Sequence, residues 1–419
     1  MTIARPVAPA YSGTASPTLE DARAGFERWD ANVPEVSIVM PCLNEEEAVG
    51  GCVRKALHWL SVYGYRGEVV VVDNGSTDRS AELAEAAGAR VIHESRRGYG
   101  RAYLTGFAHA RGRYIVMGDA DDTYDFESVR DLLGPLEAGT HDLVIGSRLK
   151  GGIADGAMPW AHRYIGTPAI NALMAFFTGV RVSDSQSGMR AFTRAAYERM
   201  GLRAEGMEFA SEMVVRSARN GLRITETPIP YHPRQGESKL RTFRDGWRHL
   251  RYLLLSAPNV VFTGPGLFFV LAGVLTSLLS FVSPGGIDVG SVVWQPIFAS
   301  TIFLVVGSTA LALGVLARRH AAARGIIPRD GWTAFSDRFM NLEVLLAWAA
   351  GLVIAGLALD GWLFGAWVAG REVDRALQLA ALAQSLLIVG ANLAFAAFLA
   401  VMMEQAEDES RRSAHAATR

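Results

Sequence analysis

The run Gly118-Asp119-Ala120-Asp121-Asp122 directly follows the apolar segment Tyr114-Ile115-Val116-Met117. A strand that buries those apolar residues ends by aiming several carboxylates at one point. Hard cations such as Mg²⁺ or Mn²⁺ take oxygen ligands, and Mg²⁺ is commonly held by one or two carboxylates with substrate phosphates completing the shell. The chemistry suggested is a divalent metal set against a diphosphate, as in a nucleotide-linked donor. An acidic triplet at a strand end also occurs as a solvated turn, so its surroundings decide the reading.

Those carboxylates need a framework. From residue 34 to 256, short apolar runs alternate with polar, charged stretches in the manner of an α/β domain. Residues 36–40 and 68–72 are β-rich and flank a helix-compatible stretch at 45–62; further strands are expected at 89–93, 113–117 and 142–145. In open sheets of this kind ligands sit beyond the carboxyl ends of the strands. Residues 41–45, 73–78 and 119–123 fall there. The second cluster, Asp-Asn-Gly-Ser-Thr-Asp, is a Gly-centred turn in which Ser76 or Thr77 is expected to cap the next helix. Taken singly, Asn44 reads as a cap and Asp78 as a partner of a helix dipole. Jointly, with the Gly-rich segment Arg96-Arg97-Gly98-Tyr99-Gly100, they outline one crevice.

After Pro258 the chain becomes oily. Segments 260–282, 292–317, 342–367 and 376–403 each exceed the roughly 20 residues needed to cross a hydrocarbon core, and four transmembrane helices are expected. Arg318, Arg319, Arg324, Arg329 and Arg338 lie between the second and third, whereas Asp288 is the charged residue between the first and second. Positive loops favour the cytoplasm, which puts the N-terminal domain and the C-terminal tail on that side of an integral membrane protein. Residues 1–33 contain no signal-peptide core and read as a flexible tail with one short helix near 19–29. The expected organisation is therefore a tail (1–33), a catalytic domain (34–230), a basic juxtamembrane and acceptor-loop segment (231–258), a four-helix membrane domain (259–403) and a cytoplasmic tail (404–419). Cys42 and Cys52 form no metal or disulfide framework, and the net charge of −1 gives no sign of a nucleic-acid partner.

The blocks Val36-Ser-Ile-Val-Met-Pro-Cys-Leu-Asn-Glu-Glu46, Val72-Asp-Asn-Gly-Ser-Thr-Asp78 and Gly118-Asp-Ala-Asp121 resemble the glycosyltransferase family 2 signature on a GT-A fold. Asp142-Leu-Val-Ile-Gly-Ser-Arg148, Ser185-Gln-Ser-Gly-Met-Arg190 and Gly236-Glu-Ser-Lys239 narrow the resemblance to polyprenyl-phosphate sugar synthases, including dolichol-phosphate glucose and mannose synthases. It covers residues 34–256.

By that resemblance Pro41, Asn44 and Glu45 border the nucleotide, Asp73 contacts its base or ribose, and Asp119 and Asp121 serve the metal and diphosphate. A third ligand in related synthases can come from two positions after the second Asp, often Gln, where this chain has Thr123, so that Thr123, a water or neighbouring Asp122 could serve. Arg148 is implied as a phosphate clamp, with Arg163 as a second; Arg234 and Lys239 flank the acceptor loop. The implied cofactor is Mg²⁺ or Mn²⁺, and the implied partners are UDP-glucose or GDP-mannose, a polyprenyl phosphate and membrane lipids. A lipid phosphate is already ionised near neutral pH, so it can attack without a protein base. In-line attack would invert the anomeric centre. Glucose is the first choice because Met117–Phe126 looks more like the glucose type.

The stretch 164–180 is apolar enough to lie on a bilayer yet short to span one, and a buried core helix is its alternative. Arg234, Lys239, Arg241, Arg244, Arg248 and Arg251 precede the first membrane helix, where cations attract anionic headgroups. Glu343 and Asp360 fall near helix ends, which argues for anchorage, with homo-oligomerisation as a further use, and against a transport path. A processive polysaccharide synthase would carry Gln-x-x-Arg-Trp and Thr-Glu-Asp motifs, and neither occurs. A catalytically silent nucleotide-sugar binder would tolerate loss of Asp119, Asp121 or Arg148, and all are present.

Overall fold

The computed structural model describes residues 33–236, 242–323, 326–327, 329–339 and 341–416. The expected helix near 19–29 and Lys239 lie outside them. The chain divides into two compact units, one made of the residues up to Asn171 with Arg181–Gly246, the other of Ala172–Val180 and Trp247–Arg419.

The strands of the first unit are β1 (Val36–Cys42), β2 (Gly67–Asp73), β3 (Arg90–His93), β4 (Tyr114–Met117), β5 (Leu143–Ser147), β6 (Arg190–Thr193) and β7 (Ile224–Pro228). Between them run α1 (Val49–Val62), α2 (Ser80–Ala86), α3 (Tyr99–His109), α4 (Val129–Glu137), α5 (Arg148–Gly151), α6 (Thr167–Thr178), α7 (Arg194–Met200) and α8 (Phe209–Arg219). The sheet order is β3-β2-β1-β4-β6-β5-β7. All neighbours are parallel except β6, which runs antiparallel to both β4 and β5. Strands β1 to β5 lie where the apolar runs put them, whereas β6 and β7 carry no such signal. The first is a short Arg-Ala-Phe-Thr, and the second, Ile-Thr-Glu-Thr-Pro, is only half-buried at the sheet edge.

β1 is apolar on both faces because both are covered, as parallel strands require. Ile38 and Met40 join the core under α1, which turns Val49, Cys52, Val53, Ala56, Trp59 and Leu60 inward at helical spacing. Val39, on the opposite face, meets α3 at Gly106. Because β2 and β3 extend from β1 on one side and β4 on the other, the ends of β1 and β4 flank a topological switch point.

The second unit continues through α9 (Thr242–Ser256), α10 (Gly264–Val282), β8 (Ile287–Val289), β9 (Val292–Trp294), α11 (Pro296–Ala323), α12 (Gly331–Phe339), α13 (Leu342–Val368) and α14 (Ala376–Ala416). Four stretches, Asn259–Val282, Pro296–Ala323, Leu342–Val368 and Ala376–Gln405, are long and apolar enough to cross a membrane. The second begins later than its hydropathy implied. Val292, Val293 and Trp294 pair with Ile287–Val289 in a hairpin, and the helix starts at Pro296, whose missing N–H costs nothing in a first turn. Helices α10 and α11 approach closely through Gly273 against Leu304 and Gly307 against Val270. Gly356 and Gly390 do the same for α13 and α14, as small residues do between membrane helices.

Gly106 fixes the distance of α3 from the sheet: a Cβ there would lie 2.4 Å from Val39 Cγ1 and 2.9 Å from Val72 Cγ2. Gly106→Ala should therefore destabilise the protein by about 1–3 kcal/mol through overpacking, in spite of the better helix propensity of Ala. Thermal unfolding in detergent checks this; an unchanged or raised midpoint would mean that α3 can shift freely off the sheet.

Candidate active site

Beyond β4 the acidic run divides into three directions. The Gly118 N–H still bonds to the Val39 carbonyl (3.2 Å), so Asp119 emerges one residue past a fixed strand. Asp119 Oδ1 accepts hydrogen bonds from the hydroxyls of Tyr99 (3.1 Å) and Tyr103 (3.2 Å). Asp121 Oδ1 accepts from the Thr123 hydroxyl (2.6 Å) and the Thr123 N–H (3.2 Å). Asp122 has a left-handed backbone (φ 64°), and its carboxylate meets Lys55 Nζ at 2.6 Å and Gln235 Nε2 at 2.8 Å. Asp122 is thus turned away from its two neighbours. Burial, then the charge of Asp121, push the Asp119 carboxyl up to about 7, against the pull of the two phenols and Arg148.

The loops after β1 and β2 are tied to each other. Asn44 adopts a left-handed backbone (φ 54°); its N–H donates to Ser76 Oγ (3.0 Å) and its Oδ1 accepts from the Thr77 N–H (2.7 Å). The Glu45 N–H donates to Ser80 Oγ (2.7 Å), and the Glu46 N–H to Asp78 Oδ2 (3.2 Å). The expected cap of the following helix by Ser76 or Thr77 is therefore not formed. Both serve Asn44, and Asp78 Oδ1 takes the Ser80 N–H at the start of α2 (3.0 Å). Pro41 pairs in register with Val72, next to Asp73 at the end of β2. Burial works against the charge of Asp73, but hydrogen bonds from Ser76 and His93 hold it below the usual carboxylate range. Asn74 donates to the Glu94 and Arg96 carbonyls and accepts from the Gly98 N–H, which fixes where α3 begins.

The chain after β7 closes the crevice. The His232 N–H donates to the Thr123 carbonyl and the Gln235 N–H to the Asp121 carbonyl, both at 3.0 Å. Arg234 Nη2 then lies 2.8 and 3.0 Å from the two Glu45 carboxylate oxygens and 3.8 Å from Asp121 Oδ2. One guanidinium thus bridges the two sides of the switch point, and its buried Nε has no hydrogen-bond partner among the described residues.

Arg148, implied as a phosphate clamp, is paired with a carboxylate. Its Nε and Nη2 bond to the two oxygens of Asp184 at 2.7 and 2.8 Å, its N–H adds a third bond at 3.0 Å, and its guanidinium lies 5.0 Å from the Tyr231 ring centre. The two-pronged face expected to grip phosphate is spent on a fully buried carboxylate. A guanidinium placed this deep requires a counter-ion, and Asp184 supplies it. Arg163 lies over the Tyr164 ring (5.3 Å) in a π-turn at His162–Gly166.

Asn171, Asp184 and Glu226, which the sequence did not flag, complete the site. Asp184, Ser185 and Ser187 are fully buried. Glu226 Oε1 accepts from the N–H groups of Ser183 and Asp184, Asn171 Oδ1 accepts from Ser185, and Arg190 donates to the carbonyls of Ser185, Ser187 and Ala210. The block Ser185–Arg190 was visible as a motif; its partners, far away in sequence, were not.

Residues 37–204 match the model for glycosyl transferase family 2, and residues 315–404 match the glycosyltransferase family 2 C-terminal transmembrane region. The low-salt glycan biosynthesis hexosyltransferase Agl6 of Haloferax volcanii is 38% identical over 377 residues, covering 87% of this chain and 88% of that protein. The dolichyl-phosphate hexose transferase of the same organism is 35% identical over 212 residues, covering 51% of this chain and 89% of that protein. Glucosyl-3-phosphoglycerate synthase of Mycobacterium tuberculosis, a solved structure, superposes with a TM-score of 0.44 at 23% identity, over 58% of this chain and 85% of that one.

Two outcomes are expected from this geometry. Arg148→Ala leaves Asp184 buried and unpaired, and should cost about 3–5 kcal/mol. Arg163→Ala, with no carboxylate partner to strand among the described residues, should cost at most about 1 kcal/mol; equal small shifts in unfolding midpoint would contradict the difference. The second outcome concerns pH. Without a cation, folded Asp119 keeps its proton up to about 7, whereas an unfolded Asp releases it near 3.8. The folded chain therefore binds more protons within that window, and stability falls as pH rises through it. In chelator, the melting temperature of the native protein should drop between about pH 4 and pH 7 more steeply than that of Asp119→Asn. Parallel curves would exclude the carboxylate as the cause.

Proposed function

This chain belongs to glycosyltransferase family 2, and from that premise we propose that it transfers a single hexose from a nucleotide sugar to a polyprenyl phosphate, with inversion at the anomeric carbon. Glucose from UDP-glucose is the first donor to try, on the resemblance of Met117–Phe126 to the glucose type, with GDP-mannose as the alternative. The dolichyl-phosphate hexose transferase among its relatives supports a lipid-phosphate acceptor.

The observation that carries this reading is the pair Asp119 and Asp121 at the end of β4, with Asp122 diverted to Lys55 and Gln235. Among the described residues no group of three His, Cys, Asp or Glu stands ready to hold a metal by itself. Two carboxylates suit a hard cation whose remaining ligands are phosphate oxygens and water. Asp119 and Asp121 would hold Mg²⁺ or Mn²⁺, with Thr123, whose hydroxyl is bonded to Asp121, orienting that carboxylate. Bound there, the cation supplies Lewis-acid stabilisation of the charge that builds on the departing nucleoside diphosphate.

The chain's own groups do the rest. Pro41, Asn44 and Glu45 shape the loop that borders the nucleotide, and ionised Asp73 offers an acceptor to its base or ribose. Arg234, whose Nε is an open donor inside the crevice, and Lys239 meet the acceptor phosphate. Arg148 acts as a fixed positive wall: paired with Asp184 it cannot swing, yet its charge still favours ionised Asp119. Arg163 sits beside the exposed aromatic residues Trp160 and Tyr164, a composition suited to a headgroup region. The acceptor's ionised oxygen attacks the anomeric carbon without a protein base, so no His is assigned. The basic residues of the loop between α11 and α13 favour a cytoplasmic catalytic unit.

Purified protein given a polyprenyl phosphate, Mn²⁺ or Mg²⁺, and radiolabelled UDP-glucose or GDP-mannose in parallel should carry label into the organic phase with one donor. Chelator should abolish the transfer, and Asp121→Ala should lower it by about 10²–10³-fold while leaving membrane insertion intact. Full turnover in chelator would remove the metal; labelled water-soluble product without labelled lipid would remove the acceptor.

A further inference from the structure

Tyr99 and Tyr103 stand four residues apart on α3, on one face of the helix, and both hydroxyls reach the same oxygen, Asp119 Oδ1. The two rings meet edge to face with centroids 5.0 Å apart, and the Tyr103 ring stacks on Phe209 at 5.7 Å. Neither phenol can drift, because the start of α3 is wedged against the loop before α8. The Gly100 and Arg101 N–H groups donate to the Gly206 and Glu205 carbonyls, and a Cβ at Gly98 would lie 2.3 Å from the Glu205 carbonyl oxygen. The other carboxylate oxygen, Oδ2, has no hydrogen bond among the described residues. It lies against Gly188, where a Cβ would stand 2.5 Å from Oδ2 and 3.1 Å from each of the Tyr124 and Tyr99 hydroxyls. Gly188 is itself pinned, its N–H donating to the Tyr124 hydroxyl at 2.7 Å.

We propose that Tyr99 and Tyr103 are positioning residues for the cation: they clamp Oδ1 of Asp119 so that Oδ2 is left as the ligand, and Gly188 is required to leave room for it. The inference rests on the cation reading above. A carboxylate free to rotate would pay orientation entropy on each binding event, and a Cβ at residue 188 would push Oδ2 out of line. Partners that orient a ligating carboxylate are commonly worth about 10–100-fold in metal affinity. Phe in place of Tyr keeps the ring contacts and removes only the hydroxyl.

The test is Mn²⁺ binding to the purified full-length protein in detergent, followed by the loss of the free-Mn²⁺ electron paramagnetic resonance signal, with UDP or GDP present to complete the shell. Tyr99→Phe/Tyr103→Phe should weaken Mn²⁺ binding by about 10–100-fold, and the single variants should fall between. Gly188→Ala should weaken it in the same direction. In transfer assays the double variant should raise the Mn²⁺ concentration needed for half-maximal rate more than it lowers turnover at saturating Mn²⁺. Melting in chelator reports folding separately; if the double variant does not fold, the two single variants decide. Binding by the folded Phe variants equal to that of the native protein overturns the proposal. Failure of the native protein to bind Mn²⁺ with either nucleotide overturns the cation reading instead.

Discussion

Two carboxylates crowded at the end of a buried strand are the constraint to which the rest of the catalytic unit answers. Asp119 and Asp121 are separated by one residue, and the charge of Asp121 works against that of Asp119 in a place where water can do little to help. The neighbours compensate with donors of three kinds. Phenols serve Asp119, a hydroxyl and a backbone N–H serve Asp121, and Arg234 spans from Asp121 to Glu45.

The support behind this pair is polar and buried, an arrangement that works only when every group is satisfied. Arg148 and Asp184 neutralise each other, Glu226 gathers the N–H groups of Ser183 and Asp184, and Arg190 ties three carbonyls together. Such a network has few alternative arrangements. Its rigidity lets Gly188 approach Asp119 closely without the loop collapsing onto it. Sites whose supporting residues are locked by packing and hydrogen bonds hold their reactive groups within narrow tolerances.

The membrane unit obeys a different solvent. Its helices expose Phe268, Leu271, Ile302, Ile354 and Phe395, which water would penalise and hydrocarbon does not. With no hydrophobic gain from bringing helices together in lipid, close packing depends on missing side chains, and glycine supplies the contacts of α10 with α11 and of α13 with α14. This chain is an integral membrane glycosyltransferase in which one polypeptide meets two sets of folding rules.

Hydropathy and local pattern alone determined strands β1 to β5, the four membrane-crossing stretches and the clusters at the strand ends, because burial of apolar runs is a local property of the chain. They did not reveal β6 and β7, which are short or polar and exist through pairing with β4 and β5. Nor did they reveal that Ser76 and Thr77 serve Asn44 in preference to a helix start, or that Val292–Trp294 turns into a hairpin before the membrane. The character of Arg148 was decided last of all. A guanidinium reads from sequence as a free cation, and only the fold brings Asp184, 36 residues away, into its reach. The same holds for Tyr99 and Tyr103, whose hydroxyls gain their meaning from Asp119 on a different element. Residue type and spacing therefore determined which groups could do chemistry. Which of them stay free and which are spent on one another was decided by tertiary contacts, because a buried charge takes the nearest partner in space, whatever its distance along the chain.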